Sequence, residues 1–153
     1  MSQIADLLPA ANVLLDLDAG SKARLFDAVG ALFDANHGLS RRIVIDSLLA
    51  REKLGSTGLG QGIAIPHGRI KGLTQAKGAF VRLRSPIPFD APDGKPVALV
   101  FVLLVPEQAT EQHLQLLSEL AQMFSEPHFR ESLAAPNDAA GLHAVFERWE
   151  PSA

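Results

Sequence analysis

The run VALVFVLLV, Val97 to Val105, is nine consecutive apolar residues in which β-branched valine predominates. It falls far short of the roughly 20 residues that a membrane-crossing helix needs. Pro92, Asp93 and Gly94 supply turn chemistry just before it. A short continuous apolar run bounded in this way reads as a strand buried on both faces, so Val97–Val105 is expected at the centre of a sheet.

Working outward, Ala79, Val81 and Leu83 alternate with Phe80, Arg82 and Arg84, the period-two pattern of a strand with one more polar face. Earlier, Ser21 stands where a side-chain oxygen caps a helix, and Leu25, Phe26, Val29, Leu32 and Phe33 recur at helical spacing before Gly38. Ser40 repeats the signal for a second helix, which carries Ile43, Val44, Leu48 and the pair Arg51-Glu52 before Gly55. Beyond the apolar run, a third helix is expected from Thr110, with Leu116, Leu117, Leu120, Ala121 and Phe124 as its stripe and His113 one turn earlier. Short helical patterns follow at Phe129–Leu133 and Leu142–Trp149. Asn12–Leu17 mixes apolar and polar residues before Gly20-Ser21. Strands interleaved with helices predict an α/β sandwich, one central sheet covered by helices.

The 153 residues suit one domain, 1–153, with no internal repeat or linker. A net charge of −3 and a pI near 5.9 leave no basic footprint for nucleic acid. Cysteine is absent, which removes disulfides, thiolate nucleophiles and cysteine-ligated metals. Met1-Ser2-Gln3 begins no signal sequence, and a cytoplasmic protein without membrane insertion is expected.

The stretch GSTGLGQGIAIPHGR, Gly55 to Arg69, sets five glycines around a short apolar run and one histidine. Ile63-Ala64-Ile65 reads as the end of a buried strand. Pro66 cannot donate to a ladder, so the chain is expected to leave the sheet there, with His67 at the strand's mouth. The glycines fail the dinucleotide pattern, because Ile63 or Ile65 occupies the third glycine position, and Gly94-Lys95 is followed by Pro96 rather than a phosphate-loop hydroxyl. Gly55-Ser56-Thr57-Gly58 has the wrong spacing for a nucleophilic serine elbow. His37, His67, His113, His128 and His143 show no ligand spacing, so neither metal nor cofactor is expected. What remains is a histidine beside glycines whose bare amides can approach an anion, a helix ending in Arg51, and His113 in the first turn of another helix. Imidazole is a good nucleophile near neutral pH, and arginine offers a rigid fork to phosphate oxygens. The bland alternatives are a turn histidine, a solvated ion pair for Arg51, and a half-buried helix-edge histidine for His113.

LLAREKLGSTGLGQGIAIPHGR, Leu48 to Arg69, together with EQHLQLLSELAQMF, resembles the enzyme IIA domains of the bacterial phosphotransferase system, in their mannitol/fructose and nitrogen-regulatory branch. The resemblance covers nearly the whole chain. It implies a three-layer α/β sandwich around a mixed sheet, a phosphotransferase with His67 as phosphoryl acceptor, and stabilising roles for Arg51 and His113. Ser56, Thr57, Gly58 and Gly68 are the expected phosphate-binding loop positions. The implied donor is a small phosphocarrier protein of the HPr type, recharged by enzyme I from phosphoenolpyruvate. Sugar-transporting systems pass phosphate to a cysteine-bearing IIB domain and a membrane IIC domain. This chain carries neither a cysteine nor an apolar span, so a stand-alone nitrogen-regulatory IIA is expected, which binds a transporter, kinase or enzyme according to its phosphorylation state. The alternatives are a separately encoded fructose or mannitol IIA, and a binding module of the same fold that is never phosphorylated.

Overall fold

In the computed structural model, which describes residues 3–108 and 111–150, the apolar run lies within a strand, Val97–Pro106. The elements in chain order are α1 (Gln3–Leu7), a tight turn at Ala10–Asn12, β1 (Val13–Leu17), α2 (Lys22–His37), α3 (Arg41–Glu52), β2 (Gly58–Gly60), β3 (Ile63–Ala64), β4 (His67–Ile70), β5 (Lys77–Ile87), β6 (Val97–Pro106), α4 (Glu111–Ser125), α5 (Pro127–Ser132) and α6 (Ala139–Arg148). Thr110, read as the start of the third helix, lies outside the described residues, as do Met1 and Ser2.

Strand β6 is central because, among the described strands, it has three partners and every other strand has at most two. It pairs antiparallel with β5, and parallel with β3 and β4 on the other side. Beyond β5 lies β1, parallel to it, and beyond β3 lies β2, antiparallel to it. The sheet is therefore mixed. Its side chains alternate between two cores: Phe80, Phe101, Leu103 and Val105 pack beneath α1, α4, α5 and α6, whereas Ala79, Val81, Val100, Val102 and Leu104 pack beneath α2 and α3. An unbroken apolar run is what burial on both faces demands. The three-layer α/β sandwich is thus present, with a mixed sheet between two layers of helices. Ser21 and Ser40 cap α2 and α3, accepting from Arg24 N at 3.2 Å and Ile43 N at 3.4 Å. No helix among the described residues is long and apolar enough to cross a membrane.

Two local expectations are corrected. The glycine-rich segment is not wholly loop: Gly58–Gly60 pairs with β3 through a two-residue turn, Gln61-Gly62, whose φ values of +58° and +79° give the left-handed hairpin geometry. Nor does the chain leave the sheet at Pro66. The Pro66 carbonyl accepts from Leu103 N at 3.0 Å, and pairing with β6 resumes at once, with His67 opposite Leu103. In extended chain a residue's nitrogen and carbonyl face the same side, so proline removes one donor towards β6. That missing bond separates β3 from β4 without turning the backbone away.

Candidate functional site

His67 opens β4 as a half-buried residue. Its Nδ1 lies 3.0 Å from the carbonyl oxygen of Ile65. A carbonyl only accepts, so this contact assigns the proton to Nδ1 and leaves the Nε2 lone pair free for chemistry.

Arg51 comes from the last turn of α3. Its Nη1 donates to Gly55 O at 2.8 Å, which folds the following loop around the helix end. Helix α3 reaches β4 through a close contact: a Cβ on Gly68 would collide with the Ser47 side chain, whose Cβ would be 3.1 Å away. Ser47 Oγ also donates to Arg69 O at 2.9 Å. Glycine at 68 therefore lets the arginine-bearing helix lie directly on the histidine-bearing strand.

Arg51, His67, Gly68 and His113 line one cleft of about 430 Å³, and His113 reaches it from the first turn of α4. A smaller adjoining cleft of about 190 Å³ is lined by Ser56, Thr57 and Gly58, again with Arg51 and His67. The histidine and the arginine thus stand where the two hollows meet. No acidic residue lines either cleft among the described residues, while Arg51 and Arg69 both line the larger one. The field there favours an anion. The rim is apolar: Leu54 is 84% exposed, Leu114 62% and Leu59 46%, and among the described residues Ile43, at 50%, is the one other large hydrophobic side chain so exposed.

The glycine-loop residues are close to His67, but both hydroxyls and the Thr57 and Gly58 amides are already engaged. Ser56 Oγ donates to Phe89 O at 2.6 Å and accepts from Gly58 N at 3.0 Å. The Thr57 hydroxyl donates to Glu52, and Thr57 N donates to the same carboxylate at 3.2 Å. Gly58 is hemmed in by Ala91, whose Cβ would stand 2.9 Å from an added Cβ. Glu52 itself is paired with Lys22 at 2.8 Å and only 5% of its side chain is exposed. No motif in the sequence joins Glu52 to Lys22, since their meeting is set by tertiary packing; the one signal in the chain is the adjacency of Glu52 to Arg51. Among the described residues, no cluster of three or more His, Asp or Glu side chains is arranged to hold a metal.

The family profile described as "Phosphoenolpyruvate-dependent sugar phosphotransferase system, EIIA 2" matches residues 6–149. A "Nitrogen regulatory protein" of Pseudomonas aeruginosa is 40% identical over 152 residues, with 95% of each chain covered. The crystal structure of the nitrogen regulatory protein IIA-Ntr from Neisseria meningitidis superposes with a TM-score of 0.88 at 54% identity, covering 94% of this chain and 99% of that one. By contrast, a fructose-specific EIIA component of Haloferax volcanii, 41% identical over 100 residues, is matched along only 65% of each chain. The chain belongs to the EIIA 2 family of the phosphoenolpyruvate-dependent phosphotransferase system, and its likeness to nitrogen regulatory proteins runs along nearly its whole length.

Proposed function

We propose that this protein, acting in the cytoplasm as one EIIA domain spanning 1–153, accepts a phosphoryl group on His67 and reports its phosphorylation state to a regulated partner. The observation that carries the reading is the Nδ1 contact to Ile65 O, which leaves Nε2 as the nucleophile beside Arg51 in a cleft without carboxylates. The donor is the phosphohistidine of an HPr-type carrier. Nε2 attacks phosphorus as the carrier's P–N bond breaks, and the bonding pair returns to the carrier's nitrogen. The His67 proton stays on Nδ1, held by Ile65 O. Charge spreads over the three equatorial oxygens, where Arg51 offers donors beyond the one given to Gly55, and His113 faces them from α4. Ser56, Thr57, Gly58 and Gly68 shape the wall of the site, the two hydroxyls and the Thr57 and Gly58 amides holding the loop together and Gly68 packing on Ser47.

The apolar rim of Leu54, Leu59 and Leu114 suits a protein partner better than a small molecule. Phosphorylation adds up to about two negative charges beside that rim. A partner with an apolar or acidic face, whether transporter, kinase or enzyme, then binds the two forms differently. About 1.4 kcal/mol is enough for a tenfold preference.

Enzyme I, an HPr-type carrier and labelled phosphoenolpyruvate provide the test. The expected product is an acid-labile, alkali-stable label that is absent from His67→Ala and formed more slowly in His113→Ala. Label retained by His67→Ala would overturn the assignment. Partner capture with His67→Ala and His67→Asp should differ. Rapid, complete transfer to a fructose or mannitol IIB domain, without any form-dependent partner, would replace the regulatory output by sugar uptake.

A further inference from the structure

The phosphoryl chemistry above makes no use of Glu52, a buried carboxylate beside the catalytic arginine. An anion tolerates such burial only when both oxygens have partners. Here Oε2 takes Lys22 Nζ at 2.8 Å. Oε1 accepts from the Thr57 hydroxyl, and from Thr57 N at 3.2 Å. The path continues beyond Thr57. Its carbonyl accepts from Ile65 N at 3.0 Å, and the Ile65 carbonyl is the oxygen that holds His67 Nδ1 at 3.0 Å. Every link is a donor meeting an acceptor, so hydrogen bonds run unbroken from the last residue of α3 to the imidazole.

The other side of Glu52 is equally constrained. Lys22 lies over the Phe89 ring, 4.3 Å from its centroid, and donates to Phe89 O at 3.4 Å. That same carbonyl takes the Ser56 hydroxyl. The loop therefore has three tethers: Arg51 holds Gly55, Phe89 holds Ser56, and Glu52 holds Thr57.

We infer that Glu52 is a positioning residue for phosphoryl transfer, fixing the ring plane and tautomer of His67 through Thr57 and Ile65. The inference rests on His67 being the acceptor. The relay carries position and not a proton, since the N–H and C=O of Thr57 belong to successive peptide units. If Thr57 drifts outward, Ile65 loses its partner, its carbonyl rotates, and the imidazole is free to exchange which nitrogen bears the proton. A nucleophile displaced by about 1 Å loses on the order of a hundredfold in rate.

The test compares wild type, Glu52→Gln, Thr57→Val and the double variant in single-turnover uptake from a phosphorylated HPr-type carrier at varied concentration. It is paired with nitrogen-15 spectra of the histidine rings under alkaline conditions. Wild type should show His67 with its proton on Nδ1, and Glu52→Gln a mixture of tautomers. The rate at saturating carrier should fall about tenfold while the half-saturating concentration moves by less than about twofold, since the docking rim is untouched. Thr57→Val keeps the Lys22–Glu52 pair, so it serves if Glu52→Gln fails to fold, and it should act in the same direction. Residues of one network are non-additive, so the double variant should be no slower than Glu52→Gln within about twofold. Glu52→Gln with an unchanged tautomer and rate, or with its whole defect in half-saturation, overturns the inference. A wild-type protein that takes up no label overturns the His67 reading itself.

Discussion

His67 Nδ1 stands 3.0 Å from the carbonyl oxygen of Ile65, two residues earlier along the same edge of the sheet. The phosphoryl group is therefore expected on Nε2. Long-range proton–nitrogen correlations of the phosphorylated protein, with the histidine rings labelled, distinguish the two isomers. Phosphorus coupling at Nδ1 would show that the Ile65 contact is broken before transfer.

Replacing Arg51 should lower the transfer rate far more than it lowers stability. One preorganised donor to developing charge is worth about 3–4 kcal/mol, so Arg51→Ala should lose about a hundredfold or more. Lysine restores the charge without the fork that serves Gly55 and phosphate together, so Arg51→Lys should recover only part of that loss. Quench-flow rates decide it: equality of Arg51→Lys with wild type would remove the guanidinium from the mechanism.

Gly68 offers a stability test that is independent of chemistry. The added methyl of Gly68→Ala meets Ser47 on α3, and overpacking of this kind costs about 1–3 kcal/mol. In Gly68→Ala/Ser47→Ala the hydroxyl that obstructs the methyl is gone, so the double variant should be more stable than the sum of the two single losses implies. Urea unfolding of all four proteins gives the coupling. Strict additivity would mean that α3 yields without strain.

His37 predicts an acid-side loss of stability. Burial first, and the Lys77 ammonium second, hold its imidazole below the ordinary value of 6.5. Asn12 Nδ2 lies 2.8 Å from its Nε2 and suits the neutral ring as a donor. Below 6.5 the unfolded chain binds a proton that the native protein refuses. This contribution is thus complete above 6.5 and is lost as pH falls towards the native value. Urea midpoints should drop from about pH 7.5 to about pH 5.5, and His37→Gln should flatten that drop. An identical drop in the variant would assign it to other groups.

The layers were legible where one periodicity dominates. The double burial of Val97–Val105 and the serine-capped helices α2 and α3 needed no tertiary information. Strand β1 was not legible, because Val13-Leu14-Leu15-Asp16-Leu17 matches neither period and its pairing with β5 decides its state. Pro66 misled in the other direction: one absent donor is a local cost, and the remaining β4–β6 pairing outweighs it. His67, Arg51 and His113 could be singled out from spacing and resemblance. The path through Glu52, Thr57 and Ile65 could not, since each of its links joins groups that only the packed chain brings together.

The pairing of β5 with β6 also bears on the order in which the molecule assembles. These two long strands are neighbours in the chain, joined through residues 88–96, whereas β1 must find β5 and β4 must find β6 across far greater separations. Closing a short loop costs less entropy than closing a long one, so we expect the β5–β6 hairpin to be the nucleus onto which the other strands condense. The strand bearing His67 is then a late arrival. Reactivity of the imidazole should appear after hairpin amides are protected during refolding, and the rise of phosphoryl acceptance would serve as a clock for the final step of folding.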